Sequence, residues 1–212
     1  MKRIVLVAVL AALAVMQSAA HPHVFIQAQL EFVFDGDACL GFWQEWTFDA
    51  VFSMELRYKF DQDRNGSFSK AEQEDIHDGA FSNLRRYGFY TLLRKGTVRA
   101  SPTAVENFSA RLVNDRAVYR FFVPLDGKEY AGGFSVAVFD TTYYSAVQYT
   151  DILATAEQRR AGSPIPVFSR QVDKRYPVYY NPMGGAQDMT TYKAPAPGLQ
   201  TVYPEEILVQ FN

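Results

Sequence analysis

The feature that most constrains the fold is a twelve-residue loop with the sequence DQDRNGSFSKAE, at residues 61–72. Groups that can offer oxygen ligands recur at its first, third, fifth, seventh, ninth and twelfth positions. These residues are Asp61, Asp63, Asn65, Ser67, Ser69 and Glu72. Ca²⁺ prefers roughly six to eight oxygen ligands and makes no strict angular demands. Gly66, at the sixth position, permits a sharp turn that a Cβ atom would oppose. We therefore predict a calcium site in this loop.

The spacing resembles the calcium loop of an EF-hand. In such a loop Asp61, Asp63 and Asn65 bind through side-chain oxygens. The seventh residue offers its carbonyl, the ninth binds directly or through a water, and the twelfth supplies both carboxylate oxygens. An ordinary turn followed by a helix N-cap is the alternative, because Ser69 and Glu72 also match a capping box. Both interpretations predict a helix that starts near Ser69, and only the first predicts bound calcium.

The first twenty residues have the pattern of a secretory signal peptide. A basic start is followed by an apolar run at 4–16 and then by small residues that suit cleavage. The apolar run is too short to span a bilayer. We therefore expect residues 1–20 to be removed. The mature chain would then start at His21 and be soluble outside the cytoplasm, in the periplasm if the source is bacterial.

Composition narrows the class of protein. The chain contains 17 Phe, 13 Tyr and 2 Trp, enough aromatic residues for the core of one domain over 21–212. The formal net charge of −2 argues against a nucleic-acid partner, which favours a basic patch. Cys39 is the one cysteine in the sequence, so no internal disulfide can form. It lies in an apolar run typical of a strand, which predicts a buried thiol.

Hydrophobic patterns predict an α+β fold, antiparallel and rich in β-strands, with an inserted helix–loop–helix at 49–87. Asp49 is a predicted N-cap for a first helix at 50–60, and a second helix is expected from about Ser69 to about Tyr87. The expected strands are 23–35, 38–48, 97–101, 106–112, 117–124, 134–139, 143–149, 165–172 and 205–211. Segment 176–204 is rich in Pro, Tyr and Gly, and is expected to be a long extended excursion of open function.

Two of the three histidines, His21 and His23, would open the mature chain on the same side of an extended strand. Cleavage would free the α-amino group of His21, which together with its imidazole can chelate Cu²⁺, Ni²⁺ or Zn²⁺. Pro22 has no N–H to lose, so a further ligand is needed, such as a carboxylate from elsewhere. The alternative is a solvated strand start that Pro22 stiffens. For His77, a surface helix position with local ion pairing is the favoured interpretation.

Three local patterns in combination resemble a known family. They are HPHVF at 21–25, WTFDAVFS at 46–53 ahead of the loop, and VAVFDTTYY at 136–144. Together they resemble a bacterial family of periplasmic proteins of unknown function, described as the periplasmic component of an uncharacterised ABC-type transport system. The resemblance implies a periplasmic location and a membrane transporter as partner, of the nickel/cobalt type and sometimes for zinc. It assigns no metal ligand.

No motif in the sequence predicts an enzyme, because it has no GxSxG, HExxH, P-loop or dinucleotide fingerprint. One hypothesis is a metal-binding accessory protein of a metal-ion transport system. It would bind structural Ca²⁺ and one of Zn²⁺, Ni²⁺, Co²⁺ or Cu²⁺. The other is an interaction module stabilised by Ca²⁺, with no transition-metal role. A third, a small-molecule-binding protein with a cleft between two lobes, would need a longer chain.

Overall fold

The computed structural model describes residues 21–36, 38–158, 165–185 and 187–211, so the predicted signal peptide at 1–20 lies outside it. The helices are α1 (Ala50–Phe60) and α2 (Lys70–Gly79), followed by a 3-10 segment at Phe81–Tyr90. No helix in this described part has the length and apolar character needed to cross a bilayer. The strands are β1 (Val24–Asp35), β2 (Ala38–Phe48), β3 (Thr91–Lys95), β4 (Val98–Ala100), β5 (Glu106–Val113), β6 (Arg116–Pro124), β7 (Phe134–Val138), β8 (Ser145–Gln158), β9 (Pro166–Val172), β10 (Val178–Tyr180), β11 (Gln200–Val202) and β12 (Glu205–Phe211).

Two five-stranded sheets organise the protein. Sheet 1 has the order β5-β6-β2-β1-β8, and sheet 2 has the order β4-β3-β7-β12-β9. Most neighbouring strands are antiparallel, which confirms the prediction of a β-rich, mainly antiparallel fold. The exception is β1 with β8, which pair in parallel from Val24 opposite Ser145. The sequence did not predict this pair, because alternation of apolar and polar residues specifies the buried face of a strand and leaves its partner's direction open.

Local signals placed most element bounds to within two residues, but β8 runs to Gln158 where the expected strand ended at 149. Strand β2 spans Ala38–Phe48 as predicted, and α1 spans Ala50–Phe60 as predicted. Asp49 caps α1, because its Oδ1 accepts from the backbone N–H of Val51 and Phe52 at 2.8 and 3.0 Å. The second helix was predicted to run to about Tyr87, and this was wrong. It ends after Gly79, a residue of poor helix propensity, and the chain continues as the 3-10 segment.

The inner face of sheet 1 is buried along the length of β1. Near the start of β1 the helical region covers it, where Trp46 stacks on Tyr90 with ring centroids 5.7 Å apart. Near the end of β1 sheet 2 covers it, where Phe32 stacks on Phe168 at 5.1 Å. Cys39 is fully buried as predicted, and burial raises the pKa of its thiol to about 12. The thiol is therefore neutral at physiological pH.

Segment 176–204 is here called the Pro/Tyr segment. Its two ends lie close together, at the same end of two neighbouring strands of sheet 2. It connects β9 to β12, which are antiparallel neighbours with Glu205 opposite Val172. Within it β10 and β11 form a two-stranded sheet of their own. At its base, the N–H of Asp173 donates to the carbonyl of Pro204 at 3.3 Å. The sequence predicted a long excursion but not that the segment folds back. This folding brings the middle of the segment against the start of β1.

Candidate metal sites

The 61–72 loop connects α1 to α2 and gathers carboxylates. One oxygen each from Asp61, Asp63 and Glu72 lie within 4.8 Å of one another. Among the described residues, no other set of three His, Cys, Asp or Glu side chains is gathered this closely. Oxygens that share a Ca²⁺ ion lie about 2.3–2.6 Å from it, so this spacing suits one shared cation. Helices flank the loop as the sequence predicted, and its assignment as an EF-hand stays a prediction.

Backbone N–H groups shape the first half of the loop around Asp61. Its Oδ1 accepts from the N–H of Asn65 at 3.0 Å, and its Oδ2 accepts from the N–H of Gly66 at 3.1 Å. Asn65 in turn accepts from the N–H of Ser67 at 2.8 Å. Gly66 has φ +80°, which confirms that the turn needs a residue without a Cβ. The first, fifth and sixth positions of the loop are therefore tied together.

Glu72 closes the loop. Its Oε1 accepts from the N–H of Gln62 and its Oε2 from the N–H of Ser69, both at 2.8 Å. The hydroxyl of Ser69 accepts from the N–H of Glu72 at 3.3 Å, which completes a capping box. The capping interpretation is thus confirmed. It does not compete with the calcium prediction, because the same carboxylate can hold the loop closed and face a cation.

Arg57 is a loop neighbour that the sequence analysis missed. Its Nε donates to Asp61 at 3.3 Å, and its Nη1 donates to Asp115 at 3.1 Å. The spacing of four residues between Arg57 and Asp61 on a helix was the available signal. The guanidinium offsets part of the negative charge of the loop and anchors it to the β5–β6 turn.

The acids that line the loop favour their charged forms. Burial raises the pKa of Asp61, but hydrogen bonds from Gly66, Arg57 and Asn65 outweigh burial and hold the pKa below its ordinary value. Hydrogen bonds from Ser69, and then from Gln62, lower the pKa of Glu72. Both carboxylates are therefore ionised at neutral pH, as a Ca²⁺ ligand must be.

The histidine pair lies elsewhere, at the start of β1. His21 is only 5% exposed, and its ring centroid lies 4.8 Å from that of His23 in an edge-to-face arrangement. The alternative of a solvated strand start is therefore wrong for His21. Two ring nitrogens, Nδ1 of His21 and Nε2 of His23, are buried and have no hydrogen-bond partner among the residues that the structure describes. Leaving a buried polar group unpaired costs about 1–3 kcal/mol, so this position suits a ligand that binds imidazole nitrogen.

The turn between β7 and β8 holds His23 in place. The N–H of His23 donates to the carbonyl of Tyr144 at 2.8 Å, and the two rings lie 5.0 Å apart. Asp140, fully buried, shapes this turn by accepting from the N–H of Thr142 at 2.8 Å and from that of Ser145 at 2.9 Å. The sequence analysis did not place Asp140 or Tyr144 beside the histidines. Both residues belong to the VAVFDTTYY pattern at 136–144, and this membership was the available sign of their importance. The fold places that pattern against the HPHVF pattern at 21–25.

The Pro/Tyr segment covers the other side of His21. The Nε2 atom of His21 lies 3.0 Å from the carbonyl oxygen of Asp188. A hydrogen bond from Thr190 lowers the pKa of Asp188, burial opposes this, and His21 adds a smaller lowering effect. The sequence analysis missed Asp188, although it is the one acidic residue in the segment. Its carboxylate is a candidate for the further ligand that the histidine hypothesis calls for.

His77 is separate from both sites. It is exposed on α2, and its Nδ1 lies 2.7 Å from Oδ1 of Asp78. This confirms the interpretation of His77 as a surface position with local ion pairing.

Comparison with known proteins identifies the family. A family model matches residues 6–211. The chain belongs to the family described as "Protein of unknown function (DUF1007)". This confirms membership of a family of unknown function, and the link to ABC-type transport stays a prediction.

Two relatives of this DUF1007 member are about 30% identical to it over the matched residues. An uncharacterized 15.5 kDa protein in the trpE 3′ region of Spirochaeta aurantia is 30% identical over 126 residues, which cover 53% of this chain and 88% of that protein. An uncharacterized protein of Haemophilus influenzae is 29% identical over 135 residues, 61% of this chain and 63% of that protein. The match thus spans less than two thirds of the second relative. No solved structure matches the chain.

The lowered pKa of Glu72 generates a prediction for calcium-free protein. Its ordinary value is 4.5, and the folded value is lower, so the charged carboxylate stabilises the fold fully above about pH 4.5. This contribution is lost as the pH falls through the folded value. We expect Glu72→Gln to lower the free energy of unfolding at neutral pH, by an amount that shrinks below pH 4.5. Urea unfolding from pH 3 to 7 measures it.

Glu74→Gln is the matched control, because the Glu74 side chain is exposed on the same helix and makes no hydrogen bond to the described residues. Its effect on unfolding should be small across the whole range. A difference between Glu72→Gln and the native protein that stayed constant down to pH 3 would contradict the assigned role of the Glu72 carboxylate.

Proposed function

We propose that this protein is a metal-binding accessory protein that acts outside the cytoplasm, beside a membrane transporter for nickel, cobalt or zinc. His21 and His23 bind the transition metal, and the 61–72 loop holds a structural Ca²⁺ ion. The observation that carries the proposal is the pair of buried, unpartnered nitrogens, His21 Nδ1 and His23 Nε2. Imidazole nitrogen is a preferred ligand for Zn²⁺, Ni²⁺, Co²⁺ and Cu²⁺.

The hydrogen bond of His21 supports metal binding by selecting its tautomer. A carbonyl oxygen can only accept, so the neutral imidazole must carry its proton on Nε2, which faces the Asp188 carbonyl at 3.0 Å. Nδ1 then presents a lone pair and no hydrogen. Metal-binding histidines typically use such an outer hydrogen bond to fix ring orientation and tautomer. In the neutral ring, the unpartnered nitrogen of His21 is therefore the one that can bind a metal.

The location and the transport role rest on sequence. The pattern of residues 1–20 predicts secretion. The resemblance carried by 21–25, 46–53 and 136–144 implies association with a metal transporter. Two of these patterns include residues at the histidine pair, since His21 and His23 belong to the first and Tyr144 belongs to the last. Residues that carry the resemblance thus coincide with those that would handle the metal.

Calcium in the loop is best understood as structural. Asp61, Asp63 and Glu72 supply three carboxylates, and Asn65, Ser67 and Ser69 can supply further oxygens. A single loop of this kind in a compartment rich in Ca²⁺ needs a dissociation constant of only about 10⁻⁴–10⁻³ M to stay filled. An ion there would clasp α1 to α2, which supports a role in stability rather than in signalling.

The alternative function is an interaction module stabilised by Ca²⁺ without a transition metal. The favouring observation is that, of the described residues, only the loop gathers three potential ligand side chains within 4.8 Å. In that case the histidine pair would be a packed strand start. The two functions differ in one measurable property, which is transition-metal affinity at His21 and His23.

Removal of the histidines tests the proposal. We expect the mature protein to bind Zn²⁺, Ni²⁺, Co²⁺ or Cu²⁺, and His21→Ala/His23→Ala to weaken that binding by at least about 100-fold, because two of its ligands are lost. Isothermal titration of tag-free protein with each metal measures the affinities. His77→Ala is the control and should bind like the native protein. Equal affinities for the native protein and the double variant would favour the interaction module.

The calcium assignment has its own test. Saturating Ca²⁺ should raise the melting temperature of chelator-stripped protein, because an ion that binds only the folded state stabilises it. Glu72→Gln should lose most of this rise and keep transition-metal binding at His21, while Glu74→Gln should keep both. Differential scanning fluorimetry measures the first property and titration the second. No shift with millimolar Ca²⁺ would remove the calcium site, and loss of both properties together would mean that the two sites are one system.

A further inference from the structure

We propose that Asp188 is the third protein ligand of the histidine site, so that the Pro/Tyr segment closes over the metal. The inference rests on the proposed function and adds a ligand that lies far away in sequence. It assigns a role to a segment whose function the sequence left open. A site built from His21, His23 and Asp188 spans two parts of the chain that only the fold brings together.

The Asp188 carboxylate and the His21 ring both lie next to Gly184. A Cβ atom built on Gly184 would lie 2.5 Å from Oδ2 of Asp188 and 3.0 Å from Cε1 of His21. The carboxylate and the edge of the imidazole therefore border the same small space above Gly184. Cε1 is bonded to both ring nitrogens, so the unpartnered Nδ1 of His21 is one bond from the atom that borders this space. Any side chain at residue 184 would fill the gap between the two groups.

Hydrogen bonds within the chain hold the turn around Asp188 without a metal. The N–H of Thr190 donates to its Oδ1 at 3.1 Å, and its own N–H donates to the carbonyl of Gly185 at 2.8 Å. The next residue, Met189, lines an apolar cavity that Val24 and Tyr144 also line. Asp188 is thus anchored on both sides, with Oδ2 turned toward Gly184.

The side chains of His21, His23 and Asp188 together are a chemically suitable set of metal ligands. Two imidazoles and one carboxylate form a common set of three protein ligands for Zn²⁺ and related ions, with a further position for water. The carboxylate also offsets part of the charge of a divalent ion in a partly buried place. His21, His23 and Asp188 do not meet the 4.8 Å spacing that the loop acids meet. Binding one metal through all three side chains would therefore require their ligand atoms to lie closer together than they do in this structure.

The test compares substitutions at Asp188 in the full mature protein. Asp188→Asn is suited to it, because the amide oxygen can still accept from Thr190 and preserve the turn while the charge is lost. We expect it to weaken Zn²⁺ binding on the order of 10–100-fold. It should also change the visible absorption of bound Co²⁺, which reports the ligand set. Asp188→Glu retains a carboxylate and should keep more affinity. Asp151→Asn, an exposed position on β8, is the control and should bind like the native protein.

The outcomes separate this inference from the proposed function. If Asp188→Asn keeps native Zn²⁺ affinity and the native Co²⁺ spectrum while His21→Ala/His23→Ala loses binding, Asp188 is not a ligand and the proposed function stands. If the native protein binds neither Zn²⁺ nor Co²⁺, both ideas fail. The melting temperature of each metal-free variant shows whether folding is intact. If Asp188→Asn unfolds, Asp188→Ser decides, because its hydroxyl can still accept from the N–H of Thr190 and it has no carboxylate. Native Zn²⁺ affinity and a native Co²⁺ spectrum in that variant would overturn the inference.

Discussion

The architecture depends on the position of β1 between β2 and β8. Antiparallel pairing with β2 follows from a tight hairpin, but parallel pairing with β8 requires the chain to cross over and return. Because Val24 lies opposite Ser145, the residues just before each strand also meet, which places His23 against Tyr144. The buried Asp140 shapes the turn that makes this meeting possible. The histidine site is therefore a consequence of strand register in sheet 1.

Features governed by neighbours in sequence were predictable. The β1–β2 hairpin, the Asp49 cap of α1 and the capping box of Ser69 and Glu72 each involve residues a few positions apart. Their hydrogen bonds form within the segment that carries the signal, so the sequence alone can specify them. The loop belongs to this group, since Gly66 and the spacing of its acids predicted both the curled backbone and the cluster of carboxylates. Whether the cluster holds calcium depends on an equilibrium that spacing alone does not determine.

Features governed by distant residues were not predictable. An HPH sequence at the start of a strand is equally compatible with solvent and with burial. In the described part of the chain, His21 packs against His23, Tyr144 and the Pro/Tyr segment. The position of Asp188 beside His21 could not be predicted, because Asp188 is a lone acid among Pro, Gly and Tyr, and the pairing of β9 with β12 is what brings the segment back. The parallel direction of β8 was missed for the same reason. Membership of a family of unknown function supplied no ligand to guide the search.

The two candidate sites differ in chemistry, because the 61–72 loop offers oxygen and the start of β1 offers buried imidazole nitrogen. We therefore expect Ca²⁺, a hard cation, to bind in the loop, and the softer transition metals to bind at the histidines. X-ray absorption at the zinc edge, on protein with one equivalent of Zn²⁺ in excess Ca²⁺, tests this division most directly. The account predicts a first shell at about 2.0–2.1 Å with the multiple scattering of two imidazole rings. A shell of oxygen alone, without imidazole scattering, would contradict it.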